Sequence, residues 1–171
     1  KVGDRVLGLA DSTFASSTVA DARFLTTIPE GMCFEDAASI PLVFLTAFYA
    51  LFDLGKLQPE ETVLIHAAAG GVGMAAVQLA QWKQAKIFAT ASLPKWDTLR
   101  GMGIADEHIA SSRTLAYQEA FPKAAVVLNA LAREFVDANF TLLNQGGRFL
   151  EMGKTDIRDA ARSGKEGDHR D

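Results

Sequence analysis

From about position 62 onward, short apolar runs alternate with stretches whose apolar residues recur every three or four positions, a pattern of strands alternating with helices. Thr62-Val63-Leu64-Ile65-His66 predicts a buried strand, and Val72, Ala75, Ala76 and Leu79 follow at helical spacing as far as Lys83. Ile87-Phe88-Ala89-Thr90-Ala91 predicts the next strand, 96–102 a helix, His108-Ile109-Ala110 a third strand and 115–121 a short helix. Ala125-Val126-Val127-Leu128-Asn129 predicts a fourth strand, 135–143 a helix, and Arg148-Phe149-Leu150-Glu151-Met152 a fifth strand after a Gly146-Gly147 turn. Repeated strand–helix units require crossover connections, so the expected class is α/β with a doubly wound parallel sheet.

The first forty residues follow a different pattern. Arg5-Val6-Leu7-Gly8-Leu9-Ala10, Thr18-Val19 and Phe24-Leu25 are small apolar groups set among turn formers, which predicts short strands of a β-rich segment. Pro29-Glu30-Gly31 is a turn, and 34–38 reads as a short helix with acids in its first turn, where the helix dipole favours them. Pro41 is expected to open a second helix over 42–54, since proline is tolerated in a first turn, with Gly55 closing it. The residues after Arg158 are polar, charged and aperiodic and are expected to form a disordered tail over 159–171.

Composition narrows the classes. Of 171 residues, 49% are hydrophobic and 22% charged, and no apolar run reaches the roughly 18 residues of a membrane span, so a soluble globular protein is expected, and the single cysteine suggests a reducing, cytoplasmic compartment. Lys and Arg number 17 against 21 Asp and Glu with no basic cluster, which gives no electrostatic case for nucleic acid. The one cysteine, Cys33, excludes an internal disulfide and a multi-thiolate zinc cage, and it has no evident His partner for nucleophilic chemistry. Lys1 is followed at once by Val2-Gly3-Asp4-Arg5-Val6, with neither an initiator Met nor a signal-peptide layout, so the expectation is a segment of something longer.

The most specific motif is Ala67-Ala68-Ala69-Gly70-Gly71-Val72-Gly73, between a predicted strand and a predicted helix. Ala68, Gly70 and Gly73 take the three positions of a dinucleotide fingerprint, with Ala in place of the first Gly. Such a turn needs little bulk, bare backbone where a pyrophosphate approaches, and close helix–strand contact, which points to a Rossmann-type sheet with Ala68, Gly70, Gly71, Val72 and Gly73 binding cofactor. The next strand ends at Ala91-Ser92-Leu93-Pro94-Lys95 without the Asp or Glu that would accept from a ribose 2′-hydroxyl. Its absence points to a 2′-phosphate, hence NADPH, with Ser92 donating a hydroxyl and Lys95 a charge at ~1.5–3 kcal/mol per charge-assisted bond. Arg113 stands where it could reach the same phosphate; for both cations the alternative is an ordinary solvated side chain. His66 lacks the ligand spacing of a zinc site and reads as structural, His108 and His169 have no partners at ligand spacing, and Trp82 and Trp96 read as packing groups.

His66-Ala67-Ala68-Ala69-Gly70-Gly71-Val72-Gly73-Met74-Ala75-Ala76-Val77-Gln78-Leu79-Ala80 resembles the medium-chain dehydrogenase/reductase superfamily, in its zinc-independent quinone-oxidoreductase-like branch. Val126-Val127-Leu128-Asn129-Ala130-Leu131 and Gly146-Gly147-Arg148-Phe149-Leu150-Glu151-Met152-Gly153-Lys154-Thr155-Asp156-Ile157-Arg158 resemble the enoyl reductase domains of modular polyketide synthases and animal-type fatty acid synthases. Gly3-Asp4-Arg5-Val6 and Ser39-Ile40-Pro41-Leu42-Val43-Phe44-Leu45-Thr46-Ala47 fit the same family, so the resemblance covers about residues 2 to 159.

The resemblance implies NADPH-dependent reduction of a trans-2-enoyl thioester on an acyl carrier protein, with neighbouring synthase domains as partners and a homodimer compatible with the reading. By resemblance Lys154 is the proton donor; a lysine ammonium carries its proton at neutral pH and can donate it. Asn129 and Gly153, at strand ends facing the ligand crevice, are expected to line the nicotinamide half. Thr46 either contacts the cofactor or packs its helix. Residues 1–40 are then the end of a GroES-like substrate domain and 41–158 an NADPH-binding domain incomplete at its C-terminus. Ala130 stands where relatives carry Ser, and the family's substrate-domain tyrosine, sixth sheet strand and second proton donor fall outside this sequence. The alternatives are a free-standing quinone oxidoreductase and a non-catalytic cofactor-binding module.

Overall fold

The structure, a computed structural model, describes residues 1–154 and Asp156. The expected tail over 159–171 and the boundary at 158 lie outside the described residues. Two short strands, β1 (Val6–Gly8) and β2 (Leu25–Thr27), pair antiparallel with Val6 opposite Thr27. The expected strand at Thr18-Val19 does not form: Val19 is fully exposed and has no apolar surface to pack on.

The remainder is a five-stranded parallel sheet of β3 (Thr62–Ile65), β4 (Lys86–Ala91), β5 (Ile109–Ser111), β6 (Ala124–Asn129) and β7 (Leu143–Glu151). Its order is β5-β4-β3-β6-β7, so the chain runs outward from β3 through β4 to β5 and then crosses back to lay β6 on the other side of β3. That reversal is the switch point of a doubly wound sheet, and ligands bind in the crevice it opens at the carboxyl ends of the strands. Helices α2 (Gly71–Trp82), α3 (Trp96–Gly101), α4 (Tyr117–Ala120) and α5 (Glu134–Thr141) connect the strands. Alternate residues feed two apolar layers: Val63, Ile65, Val126 and Leu128 pack with Ala75, Ala76, Val77, Ala80 and Leu99. Leu64 and Val127 pack on the other face with Tyr117, Phe121, Ala138 and Leu142. The predicted α/β class and all five strands of this sheet are present.

Two local expectations change. The helices expected at 34–38 and 42–54 are one helix, α1 (Phe34–Phe48), continued by a wider π turn over Tyr49–Leu54. Pro41 sits inside it and is buried; an interior proline loses one backbone bond, and here it does so without ending the helix. Cys33 caps α1, its sulfur accepting from Asp36 N–H at 3.4 Å. The whole helix Phe34–Leu54 is long and apolar enough to span a bilayer by composition, contrary to the sequence reading that no run reaches that length. In the fold its Ala37, Ala47, Ala50 and Leu51 are buried, the last three in the layer packed on the sheet. The second change is at β7, which begins at Leu143, before the Gly146-Gly147 turn. Pairing jumps from Ala124↔Leu143 to Val126↔Arg148, so the glycine turn, with Gly146 at φ +74°, is looped out within the strand. Arg148 then anchors β7, donating to Gly55 O at 2.7 Å and to both carboxylate oxygens of Glu61.

Candidate functional site

The phosphate turn leaves β3 through His66 and Ala67, whose φ of +49° lies in the left-handed region. Ala68 N–H donates to Thr90 O at 2.9 Å and Gly70 N–H to Ala67 O at 2.8 Å, so both amides are used in shaping the turn. Gly70 is the N-cap of α2 and offers no capping side chain, and the first intrahelical bond runs from Met74 N–H to Gly70 O. The first-turn amides of Gly71, Val72 and Gly73 therefore have no acceptor within the helix and are the donors available to an anion. Gly73 is required for the close approach: a Cβ there would collide with the Ala67 carbonyl oxygen and lie 2.6 Å from Ala68 Cα. Ala68 is fully buried beneath this contact, so its methyl fits where the fingerprint has its first Gly.

A cavity of about 150 Å³ opens beside the turn, lined by Gly70 together with Ala67, Ala69, Ala91, Ser92, Lys95, Ser112 and Arg113. Ser92, Lys95 and Arg113, taken from the ends of two different strands, thus meet at one pocket next to the start of α2. Ser92 precedes a single 3₁₀ turn without capping it, which leaves its hydroxyl for other partners. Arg113 N–H donates to Ser111 Oγ at 3.1 Å, holding the loop that carries the guanidinium. Ser112 was not among the sequence candidates; the hydroxyl run Ser111-Ser112 at the end of β5 was its available signal. A groove of about 520 Å³ lined from α1, α2 and α3 includes Gly71, Met74 and Gln78.

The nicotinamide-side candidates lie at the ends of β6 and β7. Asn129 is fully buried; its Nδ2 donates to Leu131 O and to Glu151 Oε2, and its Oδ1 accepts from Leu131 N–H and Asn139 Nδ2. Gly153 is half-buried and donates to Glu151 Oε1, and Lys154 follows it, exposed. Ala130, after Asn129, is exposed. Thr46 stays on α1, its hydroxyl donating to Leu42 O at 2.7 Å, and it is not among the residues of the 150 Å³ pocket. His66 is fully buried, with Nδ1 at 2.8 Å from Thr90 Oγ1 and Nε2 at 2.8 Å from Asn139 Oδ1. Burial lowers its pKa to about 4, against the opposing effect of the Asn139 bond, so the ring is neutral at physiological pH. Tyr117 OH shares the Asn139 acceptor at 2.9 Å, and burial raises its pKa to about 12. Asn139, Thr90 and Tyr117 were missed by sequence reading. Trp96 packs against the core and donates to Ala91 O at 3.2 Å, whereas Trp82 is exposed with an edge contact to Phe52. Among the described residues no three His, Cys, Asp or Glu side chains converge as metal ligands.

No protein-family model matches the sequence. The pikromycin polyketide synthase component PikAII of Streptomyces venezuelae is 57% identical over 166 residues, covering 94% of this chain and 4% of that protein. The nucleotide-binding subdomain of the enoylreductase domain of PpsC from Mycobacterium tuberculosis is 38% identical with a TM-score of 0.64, covering 68% of each chain. The chain belongs to the polyketide synthase enoyl reductase family. The CurK enoyl reductase is 46% identical with a TM-score of 0.80, over 84% of this chain and 45% of that one. A quinone oxidoreductase from Thermus thermophilus, solved also with NADPH, shares the fold at 34% identity and a TM-score of 0.66, over 74% of this chain and 42% of that one. The chain therefore spans about half of such a reductase and a few per cent of the synthases it matches.

Proposed function

We propose that this chain is the cofactor-binding part of an NADPH-dependent enoyl reductase that acts on a trans-2-enoyl thioester carried by an acyl carrier protein, beside the other domains of a cytoplasmic synthase. The observation that carries this reading is the single pocket joining the start of α2 to Ser92, Lys95 and Arg113. The residues fit the cofactor: three acceptor-less amides and a helix dipole suit a pyrophosphate, and two cations with hydroxyls suit a 2′-phosphate. Similarity to the CurK enoyl reductase supports the reductase assignment, similarity to the polyketide synthase component PikAII supports the synthase setting, and the NADPH complex of the quinone oxidoreductase supports the cofactor.

When bound, NADPH supplies a hydride from nicotinamide C4 to the β-carbon of the thioester. Gly71, Val72 and Gly73 hold the pyrophosphate through backbone N–H groups, and Lys95 and Arg113 select the 2′-phosphate, assisted by Ser92. Asn129 and Gly153 shape the nicotinamide end; the Thr46 hydroxyl, bonded to Leu42 O, supports the helix-packing alternative for that residue over a cofactor contact. Lys154 gives its proton to the α-carbon, so that hydride and proton together saturate the double bond. Residues 1–40 belong to the substrate domain and 41–158 to the cofactor domain, α1 running across the join. The test is crotonyl-thioester-dependent oxidation of NADPH by the full-length protein. Turnover with the thioester, and little with a quinone, is expected. Preference for the quinone would replace the proposed activity with quinone reduction, and tight NADPH binding without turnover would make the chain a non-catalytic module.

A further inference from the structure

The register of the sheet places one polar row across the ends of four adjacent strands. Ile65 pairs with Ala89 and with Leu128, so the following residues, Thr90, His66 and Asn129, fall side by side, and Asn129 pairs directly with Glu151. Immediately before them Ala89, Ile65, Leu128 and Leu150 form an apolar row, all buried. Polar groups in such a place must be satisfied by one another. Asn139, from α5, bridges His66 to Asn129.

The direction of every hydrogen bond in the row follows from one backbone constraint. Leu131 N–H requires the Asn129 oxygen and Leu131 O requires the Asn129 amide nitrogen, which fixes the orientation of that side chain. Asn129 Oδ1 must then accept from Asn139 Nδ2 at 2.9 Å, which turns Asn139 Oδ1 toward His66. His66 must donate from Nε2, and its Nδ1 must accept from the Thr90 hydroxyl. On the other side Asn129 Nδ2 donates to Glu151 Oε2 at 2.7 Å, and Gly153 N–H donates to Glu151 Oε1 at 2.5 Å. All donation runs from Thr90 toward Glu151, which accepts on both oxygens. Gly153 allows this, because a Cβ at that position would lie 2.7 Å from Glu151 Oε1.

We propose that Glu151 is the positioning residue for Lys154: as the double acceptor ending this one-way chain, it holds the Gly153 amide and so sets the path on which the chain leaves β7. The inference rests on the reading of Lys154 as proton donor. Glu151→Gln keeps the shape but turns an NH₂ group toward either Asn129 Nδ2 or Gly153 N–H, so one of the two anchors is lost. In the full-length protein it should lower kcat about 10-fold while the KM for NADPH changes less than about threefold, as expected for one charge-assisted bond acting on the chemical step. In a Lys154→Ala background the same substitution should change kcat less than about twofold, because the two residues act as a unit. Gly153→Ala, which pushes Oε1 away without removing the carboxylate, should reproduce the kcat loss should Glu151→Gln prove unstable.

Losses that add across the double variant, a full kcat in Glu151→Gln, or a loss confined to KM and melting temperature would each overturn the proposal. The failure of the underlying reading looks different. Lys154→Ala alone would then retain wild-type kcat, removing the proton-donor role and this proposal together, whereas a slow Lys154→Ala beside an unaffected Glu151→Gln removes only this one.

Discussion

The two ends of the crevice solve different problems with different materials. At the phosphate end the donors are backbone amides at a helix start, and the charged groups, Lys95 and Arg113, are exposed side chains around an open pocket. At the strand ends the groups are neutral and buried, hydrogen-bonded in a fixed direction, and reach a carboxylate only at the half-buried Glu151. The first arrangement attracts a charged ligand and tolerates side-chain motion. The second is rigid, because each member is satisfied only while its neighbours keep their orientation.

The comparison can be broken most severely at the join between turn and helix. Gly73→Val places side-chain atoms against the Ala67 and Ala68 backbone, which cannot yield as a flexible side chain would. Overpacking of this kind costs about 1–3 kcal/mol or more, so thermal melts should show a clear loss of stability and titration at least ~10-fold weaker NADPH binding. Next comes acid. His66 has a folded pKa near 4 against 6.5 unfolded, so the unfolded chain takes up the proton first as pH falls. Stability is unaffected by this group above about pH 6.5 and is lost between there and pH 4, by about 3 kcal/mol at most. Denaturant unfolding across that window should show the slope in the wild type and not in His66→Gln; equal slopes would place the titration elsewhere.

Lys154→Ala sharpens the contrast at the reacting end, with kcat expected to fall about 10-fold or more while NADPH affinity is nearly kept. The smallest effect belongs to the exposed cations. Lys95→Ala should weaken NADPH about 10-fold and leave NADH unchanged, and the loss should shrink as salt is raised. Equal losses for both cofactors would remove Lys95 from the 2′-phosphate.

What could be read from sequence follows the same division. The requirements of the phosphate turn are local: small residues at fixed spacing between an apolar run and a helical pattern, so positions 67–73 announce themselves. Lys95 and Arg113 could be nominated because each lies in the segment just beyond a strand, although only the fold shows that they share a pocket. The strand-end row is non-local. His66 and Asn129 were visible as single polar residues ending apolar runs, but their partners depend on register across β4, β3, β6 and β7 and on Asn139 from α5, none of which one strand reveals. Pro41 misled for a related reason: local propensity favours a helix start, and burial of the ring within a long core helix outweighed it. The register jump at Gly146-Gly147 was likewise hidden, since a turn between glycines looks the same whether it precedes a strand or interrupts one.

The central claim is that the backbone amides of Gly71, Val72 and Gly73, in the first turn of α2, hold the cofactor's pyrophosphate. Amide hydrogen–deuterium exchange of the full-length protein, with and without saturating NADPH, tests it most directly. Slowed exchange in the peptide covering 67–74, accompanied by protection around Ser92 and Arg113, is the predicted result. Unchanged exchange there, under conditions where the protein demonstrably binds NADPH, would contradict it.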